Sequence, residues 1–184
     1  MKILITGARG FMGKNLIAEL NNIKEKKTNR YPDLDPDILE ILPFDVDTEP
    51  ALLEQYTKEC DFVFHLAGVN RPKDPAEYKA GNFGFTSTLL DLLKKANNKA
   101  PVMLASSIQA ALDNPYGKSK KAGEDRLFDY GRENNVRVLI YRFPNVFGKW
   151  SRPNYNSAIA TFCHHIARGQ PINVNDPEEM LHLV

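Results

Sequence analysis

The segment "KILITGARGFMGKNL" (residues 2–16) determines the fold expected for this chain. Residues 2–6 are mostly apolar and β-branched, which favours a buried strand. Gly7, Gly10 and Gly13 follow, and a helical pattern of apolar residues comes next. In this arrangement the first glycine permits a tight turn, the second lets the backbone approach a pyrophosphate, and the third lets the helix pack on the strand. The helix N-terminus then favours the phosphate charge, so the segment predicts dinucleotide binding.

Short apolar runs alternate with helical patterns along the rest of the chain. The runs that favour strands are 2–6, 38–44, 61–66, 101–106 and 136–142, and helical patterns cover 11–27, 83–96 and 118–133. Strand and helix in alternation imply right-handed crossovers, which cover both faces of a parallel sheet. We therefore expect an α/β fold with a Rossmann-type doubly wound parallel sheet.

The composition is that of a soluble globular protein. The 184 residues are 42% hydrophobic and 26% charged, with a formal net charge of +1. This balance has no excess of positive charge of the kind that binds nucleic acid or an anionic membrane. No apolar run approaches the ~20 residues of a membrane span, and the N-terminus has no signal-peptide pattern. Cys60 and Cys163 are far apart, which fits a reducing compartment. A cytoplasmic protein without nucleic-acid or membrane partners is expected.

A tyrosine and a lysine stand one helical turn apart in "NPYGKSKKAGE" (residues 114–124). Tyr116 and Lys120 leave the same face of a helix and can meet. Taken alone, the segment is more typical of a solvated surface helix. A free tyrosine has a pKa near 10, and a neighbouring ammonium would bring the pKa of Tyr116 toward the neutral range.

Five motifs in order resemble the extended branch of the short-chain dehydrogenase/reductase superfamily, the nucleotide-sugar epimerases, dehydratases and reductases. They are the G-x-x-G-x-x-G loop, "CDFVFHLAG" (60–68), "GNFGFTSTLLDLL" (81–93), "LASSIQ" with "YGKSK" (104–120), and "RFPNVFG" (142–148). Phe85 departs from the pattern, because the family has glycine there. The resemblance spans residues 1–150 and implies that Tyr116 and Lys120 are catalytic.

The resemblance also assigns roles to individual residues. Ser107 would orient the reacting sugar oxygen (Ser106 is the alternative), Tyr116 would exchange its proton, and Lys120 would also bind the nicotinamide ribose. The implied cofactor-binding residues are Gly7, Arg9, Gly10, Phe11, Met12, Gly13, Asp45, Val46, Leu66, Ala67, Gly68, Tyr116 and Lys120, and the implied substrate-binding residues are Asn82, Ser107 and Asn145.

The residues after Ser107 limit which of the family's reactions are expected. Family dehydratases carry acidic residues where this chain has Ile108 and Gln109, so dehydration is not expected. The short segment between Ser107 and Tyr116 resembles deoxysugar 4-ketoreductases, and several other segments are similar to a capsular-polysaccharide reductase domain that precedes a zinc cupin. The implied function is NADPH-dependent reduction of the C4 keto group of a UDP-linked 4-keto-6-deoxy-aminosugar, in capsular precursor (UDP-N-acetyl-L-fucosamine) synthesis, by a homodimer. An NAD-dependent 4-epimerase and a non-enzymatic NADP(H) sensor remain alternatives.

Cofactor choice depends on two positions. Arg9 is cationic where a ribose 2′-phosphate would lie, which favours NADP(H) over NAD, although Arg9 can equally be a solvated residue. Asp45 and Val46 resemble the family's pair that contacts adenine. His164 and His165 point about 100° apart on a helix. No metal site is therefore expected in this chain, and zinc is expected only in the cupin.

The resemblance divides the chain into an NADP-binding domain, 1–148, and a partial substrate-binding lobe, 149–184. "PINVNDPEEMLHLV" (171–184) resembles a family segment that normally continues into further structure. We therefore expect a fragment, truncated within the lobe and without the cupin, that folds and binds NADPH but does not reduce the sugar at a useful rate.

Overall fold

The computed structural model describes residues 1–70, 72, 74, 76–174 and 176–184. The strands are β1 Lys2–Thr6, β2 Glu40–Phe44, β3 Phe62–His65, β4 Val102–Ser107 and β5 Val138–Phe143. The helices are α1 Phe11–Lys24, α2 Pro50–Glu59, α3 Ala76–Tyr78, α4 Phe85–Lys95, α5 Pro115–Asn134 and α6 Ala158–Ile166. A π-helical segment, Lys79–Gly84, joins α3 to α4, and short 3₁₀ turns cover Pro36–Ile38 and Ile108–Ala111.

The five strands form one sheet in the order β2-β1-β3-β4-β5. β1 pairs in parallel with β2 on one side and with β3 on the other, and β3 pairs in parallel with β4. The chain order reverses at β1, so the crevice beyond the carboxyl ends of β1 and β3 is where such a fold binds its ligand. The predicted Rossmann-type sheet is confirmed.

The side chains of β1 alternate between two apolar layers. Ile3 and Ile5 pack with the buried face of α1, whereas Leu4 packs with residues of α2, α4 and α5. Burying a leucine or isoleucine completely contributes about 1.5–3 kcal/mol, so a strand buried on both faces anchors the sheet. The glycine loop therefore leaves from a strand that is buried on both faces.

Two elements differ from the sequence predictions. Residues 50–59 form helix α2, which none of the predicted helical patterns covers. α5 begins at Pro115 and not at residue 118, because Asn114 caps it by accepting a hydrogen bond from the Gly117 N–H (2.7 Å) and proline is favoured at the first helical position. The earlier start places Tyr116 inside the first turn of the helix.

The chain divides into two compact units, residues 1–142 and 143–184. The first contains the sheet and α1 to α5. The second contains α6 and a parallel bridge between Asn145 and Leu183. The division into domains 1–148 and 149–184 stays a prediction.

Candidate active site

The glycine loop is a close-packed turn at the end of β1. Gly7 has φ +71°, and a Cβ on it would lie 2.7 Å from the backbone nitrogen of Ala67, at the end of β3. A Cβ on Gly13 would lie 2.2 Å from the carbonyl oxygen of Gly7. Since real Cβ atoms do not approach backbone this closely, only glycine fits at both places. The two loops at the carboxyl ends of β1 and β3 therefore touch.

This turn brings the N-terminus of α1 to the crevice. α1 begins at Phe11, and its N-cap Gly10 has extended backbone. Within the described residues 10–24, the first turn of α1 carries no acidic side chain and no side-chain cap, so its N–H groups stay available to an anion. The arrangement fits a dinucleotide cofactor, held by the predicted glycine-loop residues on one side and by Leu66, Ala67 and Gly68 on the other.

Arg9 faces the end of β2. Its guanidinium bonds the Asp47 carboxylate, and its side chain is 66% exposed. Its backbone N–H donates to Asp45 Oδ2 (2.6 Å), and Asp45 Oδ1 accepts from the N–H of Val46 (2.8 Å). Val46 itself is almost fully exposed. The two positions on which cofactor choice was argued, Arg9 and Asp45, are thus joined in one hydrogen-bonded group.

Ser107, Tyr116 and Lys120 come together at the carboxyl end of β4. Ser107 ends the strand, and a 3₁₀ turn leads from it to α5. Gly117 allows this turn to pack on the helix, because a Cβ there would lie 2.2 Å from the carbonyl oxygen of Gln109. The short connection between Ser107 and Tyr116 therefore still places them side by side.

The expectation that the pKa of Tyr116 is brought toward the neutral range was wrong for this structure. Burial raises the pKa of Tyr116, a hydrogen bond with Ser107 partly offsets the rise, and Tyr78 adds to it. The Nζ of Lys120 lies 5.9 Å from the centre of the Tyr116 ring and donates to the carbonyl oxygen of Ala105 (3.1 Å). The Lys120 ammonium therefore faces the ring and a backbone carbonyl, and burial has the largest effect on the pKa of the Tyr116 phenol.

Lys120 is buried, with 8% of its surface exposed. Burial lowers its pKa to about 8, and the charge of Glu124 acts in the opposite direction. A Cβ on Gly68 would lie 3.0 Å from Lys120 Nζ, so the predicted cofactor turn lies directly beside the lysine. Both parts of the predicted site, cofactor loop and catalytic pair, therefore meet in the first unit.

Asn82 lies in the π-helical segment and is buried. Its Oδ1 accepts from the N–H of Val69 (2.9 Å), and its Nδ2 donates to the Val69 carbonyl (3.1 Å) and to Ser119 Oγ (2.9 Å). These bonds hold the loop after β3 against α5 beside Lys120. The predicted substrate contact of Asn82 stays a prediction.

Asn145 lies in the second unit, where its backbone N–H and its side-chain amide both donate to the carbonyl oxygen of His182.

His65, from the H-x-A-G turn, bonds the hydroxyls of Thr6 (2.6 Å) and Thr86 (2.9 Å), and burial together with Lys120 lowers its pKa to about 3. His65 is therefore neutral near pH 7 and holds β3 to its neighbours.

Three residues near the pair were not assigned from the sequence. Tyr78 packs its ring against that of Tyr116, 5.6 Å between centres. Glu124, which is buried, forms an ion pair with Arg142, whose side chain is 43% exposed. Glu124 stands four residues after Lys120, and that spacing was the available signal for Glu124.

Among the residues that the structure describes, no cluster of three or more His, Cys, Asp or Glu side chains is arranged to hold a metal ion. Over the same residues, no helix is both long and apolar enough to cross a bilayer.

Comparison with known families and sequences agrees with the fold and the motifs. The profile of the NAD dependent epimerase/dehydratase family matches residues 3–180. The UDP-2-acetamido-2,6-beta-L-arabino-hexul-4-ose reductase of Pseudomonas aeruginosa is 44% identical over 184 residues, which are all of this chain and 46% of that enzyme. The chain thus spans less than half the length of this relative.

Solved structures give the same picture. The capsular polysaccharide assembling protein CapF from Staphylococcus aureus superposes with a TM-score of 0.82 at 45% identity, over all of this chain and 46% of CapF. The UDP-glucuronic acid 4-epimerase of Bacillus cereus, in complex with NAD, superposes with a TM-score of 0.71 at 22% identity, over 94% of this chain and 64% of the epimerase. At that identity the second likeness concerns the fold alone.

Proposed function

The chain belongs to the NAD dependent epimerase/dehydratase family, and on that premise we propose that it is the reductase part of an NADPH-dependent nucleotide-sugar 4-ketoreductase. The proposed substrate is a UDP-linked 4-keto-6-deoxy-aminosugar, and the product would enter capsular polysaccharide synthesis by the UDP-N-acetyl-L-fucosamine route. The P. aeruginosa relative, a reductase of a UDP-2-acetamido hexul-4-ose, and CapF support this substrate class.

One observation carries the proposal: Ser107, Tyr116 and Lys120 converge at the end of β4 beside the Gly68 turn. A nicotinamide cofactor supplies the hydride for C4 of the sugar. The protein then has to orient the C4 oxygen and protonate it. Ser107 would orient that oxygen by a hydrogen bond, and Tyr116 would donate its proton, a contribution of about 10²–10⁴-fold.

The environment of Tyr116 suits a proton donor. Because burial raises its pKa, the phenol is protonated at neutral pH and ready to give its proton to an alkoxide, which is far more basic. Lys120 would compensate the phenolate left behind. Ile108 and Gln109, both exposed, add no acid or base for dehydration. Reduction or epimerisation at C4 thus remains as the chemistry of this set.

Arg9 supports NADPH as the hydride source. Its guanidinium extends from the glycine loop toward the end of β2, where it bonds the exposed carboxylate of Asp47. A ribose 2′-phosphate carries more charge than this carboxylate and accepts charge-assisted bonds from the same fork. NADPH would therefore displace Asp47 from Arg9.

A second candidate is the NAD-dependent 4-epimerase, and Asp45 favours it. Asp45, which by sequence resembles part of the adenine-contacting pair, directly follows β2, the strand beside β1, and an acid at the end of this strand could instead bind the ribose 2′-OH of NAD. In this structure the Asp45 carboxylate is engaged by the Arg9 backbone. An epimerase would retain its cofactor and return the hydride to the same carbon.

A labelled-hydride experiment separates the two functions. The full-length protein is incubated with UDP-linked 2-acetamido-2,6-dideoxy-4-keto-hexose and NADPH deuterated at the transferable position. A reductase gives one deuterium at C4 for each NADPH oxidised, detected by mass spectrometry of the product. Product formed without deuterium, or with no net oxidation of NADPH, would establish the epimerase instead. Binding of NADPH but no turnover of keto or hydroxyl sugar would leave the NADP(H)-sensor alternative.

A further inference from the structure

Glu124 lies on the same face of α5 as the catalytic pair. Tyr116, Lys120 and Glu124 follow one another at four-residue spacing, so their side chains stack along the helix. Glu124 is only 1% exposed. A buried carboxylate costs several kcal/mol unless it is paired, so its position requires partners.

Those partners come from two strands. Ser106 Oγ donates to Glu124 Oε1 (2.6 Å), and Arg142 on β5 donates through Nε to Oε1 (2.9 Å) and through its terminal nitrogen to Oε2 (2.6 Å). Burial raises the pKa of Glu124, but these bonds and the guanidinium charge together hold the pKa below its ordinary value. The carboxylate is therefore ionised throughout the neutral range.

Consecutive residues of β4 contact this face of α5. Ala105 accepts from Lys120, Ser106 donates to Glu124, and Ser107 bonds Tyr116. Ser106, the alternative catalytic serine, is thus buried and bonded to the carboxylate. The Glu124 bond lies between the two contacts that define the site, so it fixes the strand end relative to the helix.

The charges around Lys120 come from several elements. Tyr116 and Glu124 belong to the same helix as Lys120, and His65 faces Lys120 from β3. Tyr78 lies beyond Tyr116, and Arg142 binds Glu124 from β5. Lys121 and Asp125 lie on the exposed side of α5. His65 is neutral near pH 7, and burial, which raises the pKa of Tyr116, keeps that phenol protonated there. Glu124 is therefore the anion that acts on the lysine.

We propose that Glu124 is a positioning residue that keeps Lys120 in its ammonium form and holds the end of β4 against α5, with Arg142 limiting the strength of its charge. The proposal rests on Lys120 being the lysine of the reductase site. Without Glu124, burial alone acts on Lys120, whose pKa of about 8 already lies near the physiological range. A larger neutral fraction of the lysine would follow, and the phenolate of Tyr116 would lose its compensating charge.

The proposal gives opposite signs for the two partners of the ion pair. Glu124→Gln removes an anion, so the Lys120 titration midpoint moves to lower pH, by at least about one pH unit for a charge one helical turn away in a poorly solvated site. Arg142→Gln removes a cation and leaves the anion, so the midpoint moves to higher pH. A role confined to packing would not produce opposite shifts.

The test needs no turnover. The 184-residue chain is labelled with ¹³C at lysine Cε, and the Lys120 resonance is assigned by its loss in Lys120→Arg and followed against pH. Asp125→Asn is the matched control, because it removes an exposed carboxylate from the adjacent position of α5. We expect a downward shift for Glu124→Gln, an upward shift for Arg142→Gln, and no shift for Asp125→Asn.

An unmoved Lys120 midpoint in folded Glu124→Gln, or shifts of the same sign in both single variants, would overturn the proposal. If Glu124→Gln does not fold, the double variant Glu124→Gln, Arg142→Met removes the buried carboxylate together with its partly exposed partner, so that neither charge is left unpaired. Its Lys120 midpoint must then lie below that of Arg142→Gln, and equality overturns the proposal. If the chain passes this titration but the full-length protein does not oxidise NADPH in the presence of the sugar, the proposed function alone is refuted.

Discussion

Replacing Lys120 by methionine should stabilise the chain at neutral pH. Methionine has a similar length and no charge, so it fills the same space beside Tyr116. At pH 7 the lysine is charged in the folded and the unfolded chain, and burial makes the folded ammonium unfavourable. The lowering of its pKa from 10.5 to about 8 corresponds to about 3 kcal/mol, at ~1.4 kcal/mol per pH unit.

Part of this gain in the stability of Lys120→Met is offset by a lost hydrogen bond. The carbonyl oxygen of Ala105 loses the hydrogen bond from Lys120, which costs about 1 kcal/mol. The net increase in the free energy of unfolding at pH 7 is therefore ~2 kcal/mol. For a chain of this size, that corresponds to a rise of about 4–8 °C in Tm.

The sign of the pH dependence follows from the same pKa. Between about pH 8 and 10.5 the unfolded chain binds more protons at this lysine than the folded chain does, so the parent gains stability as pH rises. The cost is fully present below pH 8 and disappears above 10.5. The advantage of Lys120→Met must therefore shrink over that range and end as a deficit of ~1 kcal/mol from the Ala105 bond.

Urea unfolding of parent and variant at pH 7 and at high pH measures the difference, read as a change in midpoint at unchanged slope. Lys118→Met is the matched control, because Lys118 lies on the same helix with 69% of its side chain exposed, and its replacement should change stability by less than about 0.5 kcal/mol. A Lys120→Met chain that is less stable than the parent by the same amount at both pH values would show that burial does not disfavour this ammonium.

Three further predictions test the site. In the full-length enzyme, Tyr116→Phe should lower kcat for NADPH-dependent reduction by about 10²–10⁴-fold, because the hydroxyl proton is lost. Its NADPH affinity, measured by fluorescence titration, should change only a few-fold, and a near-parent rate would contradict the catalytic assignment. Arg9→Ala should weaken the binding of NADPH more than that of NADH, by about 1–3 kcal/mol. Asp47→Asn frees the guanidinium and should strengthen NADPH binding. Equal losses of affinity for both cofactors in Arg9→Ala would leave Arg9 a solvated residue. Gly13→Ala places a Cβ 2.2 Å from the carbonyl oxygen of Gly7 and should abolish folding or cofactor binding. Gly84→Ala, whose Cβ would have its nearest neighbour at 3.7 Å, should abolish neither. Soluble Gly13→Ala protein with the cofactor affinity of the parent would refute the close packing of the loop.

The sequence by itself determined the sheet and its glycine loop. β1 was predicted with its observed bounds, Lys2–Thr6, and each of the other four strands was placed within two residues at either end. Such strands are readable because one apolar run is buried on both faces, which is a local property of the chain. The spacing of Tyr116 and Lys120 was likewise sufficient to place them together, since one helical turn fixes their separation.

Other features depend on residues that are distant in the chain. The electrostatic state of Tyr116 and Lys120 was not predictable, because burial by β3, β4 and α4 lowers the pKa of the lysine and raises that of the tyrosine. The Arg142–Glu124 pair spans 18 residues, and the Arg9–Asp47 pair spans 38. Sequence spacing specifies which side chains share a helix face, but only the packing of the strands against that face decides which charges are buried together and therefore how they titrate.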